Sequence, residues 1–261
     1  MSKKNYTRKD FLGKITAATL SAAGAGLLYP SLGGAEGTRT KMPLSAKIKK
    51  GATILFQGDS ITDAERNRKD TAPNSSRGLG TGYAFLAASH LRHVMAPHNL
   101  QFYNRGISGD KVFQLANRWN EDCLELKPDI LSILIGVNDF WHTVDFGYDG
   151  NVDKYENDFR NLLKRTKDAL PNTILIIGEP FVIAEGSAIV KEKWLPEFKA
   201  YQKAAREIAK DTGAAFIPYQ SVMDEASREV PSTYWAEDGV HPTIAGCHLM
   251  AHAWLETVKR L

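Results

Sequence analysis

The sequence predicts an α/β fold, a three-layer α/β/α sandwich on about five parallel strands, and three observations predict it. Short apolar runs recur along the chain with longer amphipathic segments between them, and strands joined by helix-length crossovers pair in parallel. The runs over Ile130–Ile135 and Thr173–Gly178 are apolar without alternation, as strands covered on both faces are. Composition is globular, 43% hydrophobic and 24% charged over 261 residues, which excludes disordered and fibrous classes and allows one substantial core.

The first strand is expected over Ala52–Gln57, an apolar run that stops abruptly at Gly58. An amphipathic helix follows over Tyr83–Met95, then a short strand over Gln101–Asn104 that runs into a polar loop ending at Asp110. Lys111–Glu125 has the period of a second helix, and Lys127-Pro128-Asp129 separates it from the third strand, Ile130–Ile135. Val152–Leu170 reads as a helix, Thr173–Gly178 as a strand, Leu195–Thr212 as a helix and Ala214–Ile217 as a strand. A last helix is expected from about Thr243 to Lys259, with Pro242 suited to its first turn. No repeat, low-complexity tract or boundary interrupts this succession, so residues 51–261 are expected to form one domain.

Ahead of it, residues 1–36 have the layout of an export signal and its cleavage region. A basic stretch through Lys14 precedes a weakly apolar run, Ile15–Tyr29, and then Pro30 and small residues. The apolar run is too short for a membrane span, and no cysteine follows it to carry a lipid. Thr7–Leu12 resembles a twin-arginine signal with Lys9 in place of the second arginine. The expected location is therefore the periplasm or the extracellular space, without a stable membrane anchor. Residues 37–50 read as a linker. The net charge of +3 comes from the signal: without residues 1–35, 28 bases face 29 acids, which offers nucleic acid no basic face. The two cysteines, Cys123 and Cys247, sit in helix-like apolar patterns and are expected to be free and buried.

Four short segments carry chemistry. Gly58-Asp59-Ser60 follows the first strand, the Asn104–Asp110 loop the second and Gly136-Val137-Asn138-Asp139 the third; Asp238-Gly239-Val240-His241 precedes the last helix. In a parallel sheet the first three emerge at one edge, where ligands collect. Acyl transfer needs a nucleophile, a base for its proton and a group that orients the base. Ser60, His241 and Asp238 supply these in turn. The oxyanion of a tetrahedral intermediate needs preorganised donors, for which the backbone N–H groups of Ser60 and Gly109 and the side-chain amide of Asn138 are the candidates.

Plainer readings compete. Ser60 alone fits a helix N-cap, and Ser108 fits a turn, since Gly106-Ile107-Ser108-Gly109 is not the nucleophile elbow of α/β-hydrolases. A metal at Asp238 and His241 lacks a third ligand at recognisable spacing. Asp59 and Asp139 suggest loop-holding carboxylates more than a glycosidase pair. His90, His93 and His98 read as surface residues. Trp141, Trp194, Tyr234 and Trp235 are candidates for a sugar platform or for packing.

In order and spacing the four segments resemble the blocks of the SGNH (GDSL-like) hydrolase family from about Ile54 onward. The resemblance implies a flavodoxin-like fold and the roles given above for Ser60, Gly109, Asn138, Asp238 and His241, with no cofactor and no metal. Gly78–Tyr83, Arg118–Asp122, Lys127–Asp129 and Gly136–Trp141 are similar to the branch that contains bacterial acetylxylan esterases and carbohydrate deacetylases, with Trp141, Tyr83 and Trp235 as substrate contacts. The departure falls in the Arg66–Ser76 loop. The expected function is removal of acetyl groups from carbohydrate. The alternatives are a lysophospholipase- or thioesterase-type acylhydrolase and a non-catalytic carbohydrate-binding protein. Acetylated carbohydrate is the expected partner, and a homo-oligomer is compatible with the sequence.

Overall fold

The computed structural model describes residues 48–261; the expected export signal and nearly all of the linker lie outside the described residues. Five strands form one parallel sheet: β1 (Thr53–Gly58), β2 (Gln101–Asn104), β3 (Ile130–Leu134), β4 (Ile174–Gly178) and β5 (Ala215–Ile217). All five fall within one residue of the predicted bounds. Their order is β2-β1-β3-β4-β5, with Ile54 opposite both Phe102 and Ile130. This is the flavodoxin-like order of a three-layer α/β/α sandwich. From β1 the chain turns outward to β2 and then crosses back to β3. The loops leaving β1 and β3 therefore diverge and open a crevice at the carboxyl edge, the switch point where such sheets bind ligands.

Helices α1 (Ser60–Asp63), α2 (Ser76–Leu79) and α3 (Tyr83–Val94) follow β1, and α4 (Val112–Asn117) follows β2. Helices α5 (Val137–Asp145) and α6 (Val152–Ala169) follow β3, and α7 (Lys191–Thr212) follows β4. Two more, α8 (Tyr219–Ala226) and α9 (Ile244–Lys259), complete the chain after β5. Helix α9 packs on α3 and on β5, whereas α6 packs on α4 and α7. The aromatic core follows this division. Phe56 meets Tyr83, Phe102 and Trp254 at centroid distances of 5.7, 6.5 and 5.0 Å. Phe140 meets Trp194 and Phe198 at 5.2 and 5.3 Å. Two buried indole N–H groups find side-chain partners: Trp254 donates to Ser132 Oγ at 3.0 Å and Trp119 to Thr166 Oγ1 at 2.9 Å.

Two helices differ from expectation. The helix predicted over Lys111–Glu125 is broken: α4 ends at Asn117, Arg118 leaves helical geometry, and a π-turn spans Asn120–Leu124. The break lets Arg118 turn its guanidinium toward the loop after β2 instead of outward along a helix. Helix α7 starts at Lys191 rather than Leu195 and carries Pro196 inside its second turn, where only one backbone hydrogen bond is forfeited. The short α5 and α8 were not foreseen, because each follows its strand after only one or two residues, too short a connection to announce it.

Candidate functional site

At the carboxyl end of β1, Gly58 is the residue that lets the chain turn. A Cβ there would lie 2.2 Å from the Leu134 carbonyl oxygen and 2.5 Å from Thr62 Oγ1, so only glycine passes. Asp59 then caps α1, its Oδ1 accepting the Ile61 N–H at 3.0 Å, which leaves Ser60 as the first helical residue. Its hydroxyl faces the loop before α9. Ser60 Oγ lies 2.7 Å from His241 Nε2, and His241 Nδ1 lies 2.6 Å from Asp238 Oδ2.

The Asp238–His241 loop is self-stabilised. Asp238 Oδ1 accepts the backbone N–H of Val240 at 2.8 Å and of His241 at 2.7 Å, so the carboxylate that orients the ring also fixes the ring's own backbone. Outside, Ile183 N–H donates to the Gly239 carbonyl and Ala188 N–H to that of Asp238, at 2.8 and 3.0 Å. Burial works to raise the Asp238 pKa, but the hydrogen bond from the His241 ring and the two backbone donors outweigh it and bring it to about 2. The same hydrogen bond lifts His241 above its ordinary value, against burial. With Asp238 ionised, Nδ1 carries the ring proton and Nε2 accepts the Ser60 hydroxyl. That is the arrangement in which a hydroxyl can give up its proton as it attacks.

The three groups expected as donors for a developing oxyanion lie on three separate segments, after β1, β2 and β3. Among the described residues, neither the Ser60 nor the Gly109 N–H has an acceptor within the protein. Gly109 has a φ of +86°, and its missing Cβ faces open space. Asn138, buried in the first turn of α5, donates from its amide to the Asp110 carbonyl, next to Gly109, in a long contact of 3.3 Å. Ser108 is a turn residue whose N–H donates to Asp63 Oδ2 at 2.9 Å; its hydroxyl takes no part in the relay.

Asp59 and Asp139 flank this centre as buried carboxylates. Each accepts one backbone N–H, from Ile61 at 3.0 Å and Val112 at 3.2 Å, and each keeps its second oxygen buried without a partner. Burial pushes both up to about 7. Their role is to hold turns, as the sequence indicates. Of the three histidines, His90 and His93 are exposed. Cys123 and Cys247 are free and buried.

The cleft that receives Ser60 and His241 has a volume of about 760 Å³. None of the three aromatic residues expected as substrate contacts lines it. Tyr83 is 1% exposed, its hydroxyl 3.0 Å from Thr62 Oγ1 and its ring against Phe56 and Tyr219. Trp141 packs on Trp194 and Phe146, and Trp235 on Tyr234. Their bulk is spent covering the apolar layers around the site. The wall instead contains Arg66, Arg68 and Lys69.

Sequence reasoning also missed the polar cluster beneath the oxyanion loop. Arg118 Nε donates to Asp110 Oδ2 at 2.9 Å, and its Nη1 reaches the Arg105 carbonyl and Asp122 Oδ2, both at 2.7 Å, and Gln57 Oε1 at 3.1 Å. A charged residue in the middle of an otherwise helical period was the available signal.

A GDSL-like lipase/acylhydrolase family model matches residues 56–249. An acetylxylan esterase of Geobacillus stearothermophilus is 34% identical over 216 residues, 81% of this chain and 96% of that one. Its crystal structure superposes with a TM-score of 0.72. Structures of that esterase include variants described as catalytic, in which a serine, an aspartate and the histidine three residues after it were each replaced by alanine. A protein of Parabacteroides merdae described as a GDSL-like lipase superposes with a TM-score of 0.80 at 48% identity, over 81% of this chain and 97% of its own.

Proposed function

The chain belongs to the GDSL-like lipase/acylhydrolase family and is a carboxylic ester hydrolase, and from that premise we propose that it removes acetyl groups from carbohydrate through an acyl-enzyme on Ser60. The observation that carries the chemistry is the unbroken relay of short contacts, Ser60 Oγ to His241 Nε2 to Asp238. Ser60 Oγ attacks the ester carbonyl as His241 Nε2 takes its proton, and the carbonyl oxygen gains its negative charge facing the N–H groups of Ser60 and Gly109 and the Asn138 amide. Collapse breaks the bond to the sugar oxygen, which leaves with the proton from His241. Water repeats the sequence on the acetyl-enzyme: His241 takes its proton, acetate leaves, and Ser60 recovers its own.

The substrate reading is supported by the acetylxylan esterase relative, which aligns over 96% of its own length; Arg66, Arg68 and Lys69 on the cleft wall suit a polar substrate. The layout of residues 1–36 adds export to the proposal. The test is acetate release from acetylated xylo-oligosaccharides by wild type and Ser60→Ala, with labelling of Ser60 by a fluorophosphonate. Acetate release that disappears with Ser60 is the expected result. A wild-type enzyme that ignores the acetylated sugars while cleaving long-chain acyl esters would replace this reading with the lipid-acylhydrolase one.

A further inference from the structure

We propose that the wall of the cleft formed by residues 64–69 is a subsite for a carboxylate, so that the substrate is an acetylated oligosaccharide bearing a uronic-acid residue near the acetylated sugar. This rests on the esterase reading above and specifies its substrate. The segment overlaps the loop in which the sequence departs from its family pattern, and the structure makes it one side of the space in front of Ser60.

The charges on this wall do not cancel. Arg68 is spent on Asp63, donating from Nε at 3.1 Å and from Nη2, and Asp63 also takes the Ser108 N–H. Arg66 is only 7% exposed, yet its side chain makes a single hydrogen bond among the described residues, from Nε to the Gly106 carbonyl at 2.8 Å, and its Nη1 is buried without a partner. Among the described residues no carboxylate pairs with Arg66 or with the exposed Lys69 beside it. Burial pushes Arg66 down to about 10, so it keeps its charge at neutral pH. The unpaired acid on this wall is Glu65, which is exposed. Buried charges in proteins are ordinarily paired; here Arg66 and Lys69, neither of them in an ion pair among the described residues, both line the cavity that holds Ser60 and His241.

The wall is also rigid. Ala64 and Glu65 hold consecutive left-handed conformations, with φ of 42° and 58°, a costly arrangement for residues other than glycine. It is clamped from several sides: Thr81 N–H donates to the Ala64 carbonyl at 3.0 Å, Asn67 N–H to the Arg77 carbonyl at 2.8 Å, and Arg105 Nη2 to the Thr71 carbonyl at 3.2 Å. Strain kept in place beside a reacting centre is characteristic of ligand clamps, and cations held in position bind an anion without an ordering cost. A neutral glycan would leave both cations unanswered, whereas a uronate supplies the missing anion.

The experiment compares kcat/KM for one acetylated, uronate-bearing xylo-oligosaccharide and for the same compound with its carboxyl reduced to the alcohol. The expected preference of wild type for the charged form is about fivefold, the equivalent of ~1 kcal/mol from a partly screened ion pair. In Lys69→Glu, with circular dichroism identical to wild type, that preference disappears or inverts. Equal rates on the two oligosaccharides, or a preference that survives both Lys69→Glu and 0.5 M salt (roughly half the Debye length of physiological buffer), overturns the subsite and leaves the esterase reading intact. Turnover of p-nitrophenyl acetate with neither oligosaccharide cleaved would instead remove the carbohydrate reading, and this proposal with it.

Discussion

The guanidinium of Arg118 and the carboxylate of Asp110 meet at 2.9 Å, and the carbonyl of that same aspartate receives the Asn138 amide at 3.3 Å. Gly109 immediately precedes Asp110. One ion pair at the broken end of α4 thus anchors a loop that sets the position of two of the three candidate oxyanion donors. Asp110 sits against opposing influences: burial raises its pKa and the Arg118 charge and hydrogen bond lower it, with burial the stronger.

Arg118→Ala is expected to lower kcat by about 10²-fold with little change in KM, because displacement of catalytic groups by an ångström costs about that much. Affinity for an acyl boronate, which forms a tetrahedral adduct on the serine, should fall by the same factor. Arg118→Lys, which keeps one charge contact but not the fork, should recover part of the loss. A fall in thermal stability with kcat preserved would assign Arg118 to the fold alone.

Asn138→Ala removes one of the three donors and should reduce kcat by about 10²–10³-fold, the usual cost of losing one oxyanion contact. Labelling of Ser60 by a fluorophosphonate should slow in parallel, since that reaction builds charge at the same spot. Circular dichroism identical to wild type separates this from misfolding.

Activity should rise with pH through the His241 pKa. Because Asp238 holds that value above the ordinary 6.5, the midpoint of the acid limb in kcat/KM is expected above pH 6.5. Asp238, at about 2, stays ionised throughout. In Asp238→Asn the support for the imidazolium is lost, so the midpoint should move down, and kcat should drop by about 10⁴-fold as the ring loses its fixed tautomer. A midpoint unmoved by that substitution would contradict the coupling.

Asp139 gives a stability prediction of the opposite sign to that of a paired carboxylate. Its pKa is about 7 in the folded protein against 3.8 ordinarily, so between these values the folded state holds a proton that the unfolded chain has released. Its contribution is complete below pH 3.8 and is lost as pH rises to about 7. Asp139→Asn, which cannot ionise, should flatten the decline of Tm between pH 5 and 8. The check is a series of thermal melts of both proteins across that range.

Much of this was legible in the sequence because it depends on local chemistry. Short runs at helix-length spacing, two of them apolar without alternation, placed all five strands to within a residue. Gly58-Asp59-Ser60 and Asp238–His241 announced a hydroxyl and an imidazole on turns, since a capping aspartate and a Pro-flanked histidine are visible in short windows. The Arg118 cluster and the Arg66–Lys69 wall were not, because their partners lie 34 to 61 residues away in several cases, as with Arg118 and Gln57 or Arg105 and Thr71. Tyr83 was misplaced for the same reason: an aromatic residue beside a reactive loop looks the same in sequence whether it faces the cleft or the core.

By itself, then, the sequence determined the parallel α/β architecture, the chemical identity of the relay and the order in which its parts occur along the chain. Periodicity, turn chemistry and residue type act over a few residues and leave their mark there. Only the tertiary structure decided that Ser60 and His241, 181 residues apart, stand at 2.7 Å, that Tyr83 lies in the core, and that Arg66 and Lys69 fall on the wall of the cleft that holds Ser60. Those outcomes depend on which loops the β2-β1-β3 crossover carries to a shared edge, and on how side chains divide between buried layer and cleft once the sheet has closed.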